Sequence, residues 1–350
     1  MIRVLVVDDS RLVRTVVRDL LEEDPDIQVV AEAENGLEAV KRCHEVRPDA
    51  VVMDIHMPVM DGLTAVERIM AECPTPVLIL SATVNPGEVQ SAFRAVRAGA
   101  FEALPKPDGA VSREEYTALA EELRSRIKLY ARVGRRRGWT IEDAAPSGPA
   151  SVAGPVRRSA VAVAASTGGP RAVQALLSAL PRPFPCPVLL VQHISLGFTR
   201  GFARWLEKET GFPVRVVETP EPLHPGTVYL AADGGHLVVR RGRAVLHRGP
   251  PVNSCRPSAD VLFESVAQAF GSRSVALVLT GMGRDGARGA LAIRRAGGEV
   301  LVQDEASSVI FGMPKAAIEA GAATRVVPAR EMPGALVEAL GSEAPERRDG

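Results

Sequence analysis

The chain carries no net charge: 42 lysines and arginines balance 42 aspartates and glutamates among 350 residues. Such a balance gives no support for the basic footprint of a nucleic-acid binder or for a strongly anionic partner. Cysteine is scarce. Cys43, Cys73, Cys186 and Cys255 are scattered with no C-x-x-C spacing. That argues against a disulfide framework or a zinc site and fits a reducing compartment. No apolar run approaches the ~18 residues that a membrane span needs, and the first residues enter a strand pattern rather than a secretory leader. The expectation is a cytoplasmic protein without membrane insertion and without nucleic acid as a partner. No internal repeat is visible.

What is present is an alternation of short Val/Ile-rich runs with amphipathic stretches, in a length that allows two to three domains. Strands are expected at 2–7, 27–31, 50–53, 77–80 and 101–104. Helices are expected at 12–22, 36–46, 62–72, 86–98 and 112–130, the last opening on Ser112 and Glu115 as a capping pair. Five strands alternating with five helices make an open parallel sheet of the flavodoxin-like (βα)5 kind. Residues 131–158 break the rhythm, with Gly134-Arg135-Arg136-Arg137-Gly138 followed by a stretch rich in Ala, Pro, Ser and Gly. They read as a linker, its arginines a solvated tether or a docking patch.

From 159 to 345 the α/β rhythm resumes as a second domain. Buried-type strands fall at 160–165, 187–192, 274–279 and 299–303, and helices at 170–180, 200–209, 257–270, 286–296 and 313–320. Turn signals between 214 and 248 suggest antiparallel hairpins inserted in or beside a doubly wound parallel sheet.

In open parallel sheets, sites form beyond the carboxyl ends of the strands. In domain 1–130 those ends carry Asp8 and Asp9, then Asp54, Ser81 and Lys106. Three carboxylates in one cleft repel unless a cation joins them, and oxygen ligands favour Mg²⁺. A hydroxyl and an ammonium opposite suit a phosphoryl group held on a carboxylate. Each residue alone is an ordinary surface group; the five together, each at a strand end, point to phosphoryl chemistry.

Val7-Asp8-Asp9-Ser10, Met53-Asp54-Ile55-His56-Met57-Pro58, Met60-Asp61-Gly62 and Lys106-Pro107 resemble the response-regulator receiver domain. The resemblance implies Asp54 as phosphoacceptor. It implies Mg²⁺ held by Asp8, Asp9, Asp54 and the backbone carbonyl of His56, with Ser81 and Lys106 contacting the phosphoryl group. Ala103 stands where receivers often carry an aromatic switch residue.

In the second domain, Ser166-Thr167-Gly168-Gly169-Pro170 ends the first strand. Its glycines permit a tight turn, and Pro170 suits a first helical turn. The serine is then held near a helix N-terminus, where N–H groups can stabilise an oxyanion. This is not the G-x-S-x-G elbow, and a phosphate-loop-like cap or a simple turn is the bland alternative. His193 ends the next strand, and Asp285 lies in Thr280-Gly281-Met282-Gly283-Arg284-Asp285-Gly286 after another. Serine, histidine and aspartate are the residue types of a nucleophile, a base and its orienter. A rival reading exists, because Gly281-x-Gly283-x-x-Gly286 with Asp304 matches the dinucleotide-binding fingerprint. A carboxylate at Asp285 would repel a pyrophosphate there, and that reading leaves Ser166 and His193 unused.

Ala165-Ser166-Thr167-Gly168-Gly169-Pro170, Gln192-His193, Gly197-Phe198-Thr199, Pro250-Pro251-Val252-Asn253, Arg256-Pro257-Ser258, Leu279–Gly286 and Phe311-Gly312-Met313-Pro314 occur in that order. With the receiver segments, they resemble the chemotaxis protein-glutamate methylesterases of the CheB type. The resemblance implies Ser166 as nucleophile, His193 as general base and Asp285 as orienter, with Thr167 and the backbone of Met282 at the oxyanion region. It implies no cofactor in the catalytic domain. It further implies phosphorylation-gated hydrolysis of glutamate methyl esters on chemoreceptor helices, with glutamine deamidation by the same route and a histidine kinase as phosphodonor. The chain is expected to act as a monomer. Ile194-Ser195-Leu196 and Cys255 depart from the family pattern, where a Met-Pro pair and a histidine are usual. A non-catalytic receiver-linked binding module is the alternative from another class; the complete set of triad residue types argues against it.

Overall fold

The computed structural model describes residues 1–81, 86–106, 113–134 and 158–341. Ser112, the first residue of the expected capping pair, and the arginines at 135–137 lie outside the described residues. Two compact units divide the chain, Met1–Glu142 and Asp143–Gly350.

The first unit alternates β1 (Ile2–Val7), α1 (Arg11–Glu22), β2 (Ile27–Ala33), α2 (Gly36–Val46), β3 (Ala50–Asp54), α3 (Gly62–Glu72), β4 (Val77–Ser81), α4 (Pro86–Ala98), β5 (Glu102–Pro105) and α5 (Arg113–Gly134). The sheet order is β2-β1-β3-β4-β5 and the pairings are all parallel. Strands β3 and β4 are buried along their whole length, which is why they read as continuous apolar runs rather than alternating ones. The helix starts are set by short polar caps: Ser10, Asn35 and Asp61 accept from the backbone N–H groups of Val13, Glu38 and Thr64. Helix α5 continues to Gly134, past the expected 130.

The second unit carries β6 (Ala160–Ala165), α6 (Gly169–Ser178), β7 (Val188–Gln192), α7 (Thr199–Thr210), β8 (Val214–Val217), β9 (Glu221–Pro222), β10 (Val228–Ala231), β11 (His236–Arg240) and β12 (Arg243–His247). It continues with α8 (Ala259–Phe270), β13 (Ser274–Val278), α9 (Ala287–Arg295), β14 (Glu299–Gln303), α10 (Met313–Glu319), β15 (Arg325–Val327) and α11 (Met332–Gly341). Seven strands form a parallel sheet in the order β15-β14-β13-β6-β7-β10-β8. The chain winds outward from β6 through β7, then returns to β13 on its other side. The crevice between β6 and β13 is therefore the topological switch point, where such sheets bind ligands.

The structure corrects the sequence reading in one region. The short strands between 214 and 248 do not all form hairpins, because β8 and β10 pair in parallel and extend the main sheet. Only β11 and β12 make an antiparallel hairpin, with β9 added at its edge. The turn residues around them are real, but turn chemistry does not say whether a strand returns beside its neighbour. Strand β15 and helix α11 were not foreseen. Helix α11 begins Met332-Pro333-Gly334, where only Gly334 is a poor helix former, and is buried on most sides, so it shows little amphipathic periodicity.

Candidate functional site

In the receiver-like unit, the ends of β1 and β3 bring Asp8 and Asp54 side by side. Both are buried, at 2% and 5% exposure. Lys106 reaches across from the end of β5 and bonds both, with Nζ 2.7 Å from Asp8 Oδ2 and 2.9 Å from Asp54 Oδ2. The exposed Asp9 completes a trio whose carboxylate oxygens lie within 4.8 Å of one another. Ser81, at the end of β4, is buried beside this edge, and its carbonyl accepts from the N–H of Lys106 at 2.9 Å. His56 follows the turn after Asp54 with its side chain exposed.

The backbone explains the placing. Gly62 sits so close to β3 that a Cβ there would lie 2.1 Å from the Asp54 carbonyl oxygen, and its N–H donates to Ile55 O at 2.8 Å. Glycine alone allows that approach. Beneath the cleft, the buried Arg14 guanidinium donates to the carbonyl of Asp8 and pairs with Glu32 and Glu34. Burial raises the Asp54 pKa above its ordinary value, while Lys106 and the Ile55 N–H pull it back and Asp8 pushes it up. Burial alone would lower the Lys106 pKa, but its bonds to Asp8 and Asp54 raise it overall. A cleft this rich in carboxylate oxygens fits a hard divalent cation such as Mg²⁺. Asp8, Asp9 and Asp54 would hold it, and when bound it neutralises charge on a transferring phosphoryl group.

In the second unit, β6, β7 and β13 end at the switch-point crevice and deliver Ser166, His193 and Asp285. Ser166 is 4% exposed and Asp285 2%. The Ser166 turn is fixed from three sides. Its N–H donates to Thr280 O at 3.0 Å, and its carbonyl accepts from Gln192 Nε2 at 2.8 Å and from the Gly169 N–H at 2.8 Å. Gly168 adopts φ +76°, and a Cβ on Gly169 would lie 2.2 Å from Gln192 Oε1. Both glycines of the motif are thus required, one by conformation and one by the Gln192 clamp.

His193 Nε2 lies 2.9 Å from Asp285 Oδ2. Asp285 is held more heavily than an orienting carboxylate needs. Its oxygens also accept from Ser258 Oγ at 2.7 Å, Asn253 Nδ2 at 3.0 Å, and the N–H groups of Ala259 at 2.6 Å and Asp260 at 3.3 Å. The carboxylate therefore caps helix α8, and the positive end of that helix helps keep it ionised. Burial pushes its pKa up, but these donors win and bring it down to about 2. Burial pushes the His193 pKa down; the bonds to Asp285 and Cys255 prevail and raise it to about 9.

Among the described residues, Ser166 Oγ makes no hydrogen bond to the His193 ring. Such contacts often tighten only when substrate is bound. Thr167 is fully buried and its carbonyl accepts from Thr280 Oγ1 at 2.9 Å. Met282 is exposed, and its backbone N–H has no acceptor among the described residues. The Met282 loop rests on the Phe311-Gly312-Met313-Pro314 segment: Gly281 N–H donates to Ile310 O at 3.0 Å, and Gly281 O accepts from Met313 N–H at 2.9 Å. The Gly281–Gly286 turn carries Asp285 into the crevice. Asp304, the acid of the dinucleotide reading, accepts instead from the N–H of Ser307 at 3.0 Å, as in a local turn.

Sequence reasoning missed Gln192, Asn253 and Ser258 as supporting residues. All three stand in motifs that resembled the family, but which partner each would reach depends on loops up to 32 positions apart in sequence.

Residues 161–336 match the CheB methylesterase family and residues 4–114 the response regulator receiver domain family. The chain is 46% identical over 347 residues to protein-glutamate methylesterase/protein-glutamine glutaminase 4 of Myxococcus xanthus, across 97% of each chain. It is 44% identical over 352 residues to the protein of the same name from Geobacter metallireducens, across 99% of this chain and 100% of that one. Among solved structures, the catalytic domain of the Thermotoga maritima CheB methylesterase is similar at 37% identity and a TM-score of 0.50, covering 52% of this chain and 99% of that one.

Proposed function

The chain belongs to the CheB methylesterase family and carries a receiver domain ahead of the esterase, and on that premise we propose that it is a protein-glutamate methylesterase and protein-glutamine glutaminase acting through Ser166 under the control of Asp54. The observation that carries the catalytic reading is the convergence of Ser166, His193 and Asp285 at one switch point, with the His193–Asp285 bond at 2.9 Å.

The tautomer follows from that bond. Nε2–H donates to the ionised Asp285, so Nδ1 is the nitrogen that accepts a proton. Ser166 Oγ attacks the ester carbonyl carbon while Nδ1 takes the hydroxyl proton. Thr167 and the backbone of Met282 line the region where negative charge collects on the carbonyl oxygen. The acyl carbon–oxygen bond to the methoxy group breaks, and methanol leaves with the proton from His193. Water then gives its proton to Nδ1 and attacks the acyl-serine carbon; the bond to Ser166 Oγ breaks, Oγ takes the proton back from His193, and the glutamate carboxylate is freed. A glutamine side chain takes the same route with ammonia as leaving group, since both pass through one acyl-enzyme.

In the receiver, Asp54 accepts the phosphoryl group. Asp8, Asp9 and the His56 carbonyl would hold Mg²⁺ with it, and Lys106 and Ser81 would bind the phosphoryl oxygens. A histidine kinase is the donor in the cell, and the substrates are the cytoplasmic helices of chemoreceptors. No helix among the described residues is long and apolar enough to cross a membrane, consistent with an enzyme that meets its receptor from the cytoplasm. A receiver running through α5 to Gly134 and an esterase from 159 to 345, with the segment between them as linker, suit a receiver that gates a separately folded esterase. The test is methanol release from methylated receptor membranes, with and without acetyl phosphate. Release that depends on Ser166 and is stimulated through Asp54 supports the reading; release indifferent to both overturns it.

A further inference from the structure

The proposed mechanism uses the Nδ1 edge of His193 but does not use the residue facing it. Cys255 Sγ lies 4.0 Å from Nδ1. The thiol is held there by a built loop. Val252 and Cys255 exchange both backbone hydrogen bonds, Val252 N–H to Cys255 O at 3.1 Å and Cys255 N–H to Val252 O at 2.9 Å. The two residues between them, Asn253 and Ser254, both take positive φ, at 52° and 60°. This is a two-residue turn of the kind that normally recruits glycine, and a serine with positive φ is strained. The Asn253 side chain ties the turn down, donating to Asp285 at 3.0 Å and to the buried Asp260 at 2.8 Å. The same loop thus fixes the carboxylate on one side of the imidazole and the thiol on the other.

We propose that His193 Nδ1 and Cys255 Sγ form a binding site for a thiophilic divalent cation of the Zn²⁺ class, and that its occupancy switches the esterase off. The donor set suits such an ion, since imidazole nitrogen and thiolate sulfur are its preferred ligands. With Zn–N near 2.0–2.1 Å and Zn–S near 2.3 Å, a tetrahedral ion separates the two donors by about 3.6 Å. The observed 4.0 Å needs a closure of a few tenths of an ångström. The carboxylate of Asp285 is already on Nε2, which leaves the Nδ1 lone pair directed away from it. That is the carboxylate–histidine–metal arrangement that raises ligand basicity and fixes the ring. Oxygen, nitrogen and sulfur donors from Asp285, His193 and Cys255 lie within 4.8 Å of one another. Binding displaces the thiol proton as the S–metal bond forms and, below about pH 9, also the Nδ1 proton of His193 as the N–metal bond forms, so up to two H⁺ are released. Water or substrate oxygen fills the remaining positions.

Inhibition follows because the metal takes the lone pair that would accept the Ser166 proton. The inhibition, though not the binding, rests on His193 being the base. Removal of a general base costs about 10²-fold or more, and saturating metal is expected to cost as much. Mg²⁺ does not compete, being a poor partner for sulfur.

The test uses the full chain in Mg²⁺ buffer. Methanol release is followed as Zn²⁺ is added, and Co²⁺ is added separately as a spectroscopic probe, because a thiolate bound to Co²⁺ gives a charge-transfer band in the near ultraviolet. Three proteins are compared: wild type, Cys255→Ser and Cys255→His, each rate being referred to the same protein without metal. The expected result is reversible inhibition and a thiolate band in wild type, and loss of both in Cys255→Ser. Cys255→His should keep the inhibition without the band. A wild type with no thiolate band, or a band that persists in Cys255→Ser, overturns the site. A band that Cys255→Ser abolishes, together with methanol release untouched by saturating metal, keeps the site and overturns His193 as base.

Discussion

His193 presents its Nε2 edge to Asp285 at 2.9 Å, and Asp285 in turn rests on the N-terminus of helix α8 through the N–H groups of Ala259 and Asp260. The histidine is therefore tuned by a carboxylate that stays ionised over the whole working range, with its pKa near 2. The ring holds its own proton up to about pH 9.

That tuning fixes the sign of the pH dependence. Only the neutral ring accepts the Ser166 proton, so kcat should climb as pH rises from 7 and level off near the His193 value of about 9. Well below that value the slope is about tenfold per pH unit. Initial rates of methanol release across pH 6.5–9.5 provide the check. A rate that falls over this range would assign the rate-limiting protonation to an acid instead.

Asp285→Asn keeps the shape but turns one oxygen into an NH₂ donor that faces other donors. It should lower kcat by about 10²–10⁴-fold, as loss of the orienting group does in other triads. It should also destabilise the second unit by about 1–3 kcal/mol through unpaired buried donors. Steady-state kinetics and urea unfolding measure the two effects separately. Unchanged kcat would remove Asp285 from the catalytic set.

Gly281→Ala probes the contact between the Met282 loop and the nucleophile turn. A Cβ there would lie 2.7 Å from Ser166 Cβ and 2.5 Å from Met313 Sδ. Something must move, and the Ser166 turn, pinned by Gln192, carries the proposed nucleophile. The variant should lose about tenfold or more in kcat, because small displacements of reacting groups are costly. A kcat equal to wild type would show that the loop yields instead of the serine.

Asp54→Asn should abolish stimulation by acetyl phosphate and leave the basal esterase rate in place. Label from radioactive acetyl phosphate should enter the wild type only with Mg²⁺ present, since Asp8, Asp9 and Asp54 need a cation to accept further negative charge. Metal-independent labelling of the variant would place the phosphate on another residue.

Much of this was legible in the sequence because parallel strands buried on both faces read as apolar runs, and a residue just past such a run sits at the functional edge. The sequence reading singled out Asp8, Asp54, Ser166, His193 and Asp285 that way. The helices expected at 36–46 and 62–72 match α2 and α3 in their limits, and the structure shows Asn35 and Asp61 capping them. What escaped depends on pairings between distant segments. Nothing in Val214–Val217 or Val228–Ala231 says that they join the main sheet rather than fold back on each other. Nothing local in Pro257-Ser258 says that the serine hydroxyl donates to Asp285 rather than capping its own helix. Cys255 stood out only as a departure from a familiar pattern; its position against His193 required the turn at Asn253 and Ser254.

The central claim is that Ser166 is the nucleophile of a receptor-directed esterase, and the most direct measurement is methanol release by Ser166→Ala from methylated receptor membranes. The account predicts a fall of ~10³-fold or more, with Asp54 still accepting phosphate from acetyl phosphate. Retention of most of the hydrolysis by a folded, phosphorylatable Ser166→Ala protein would contradict it.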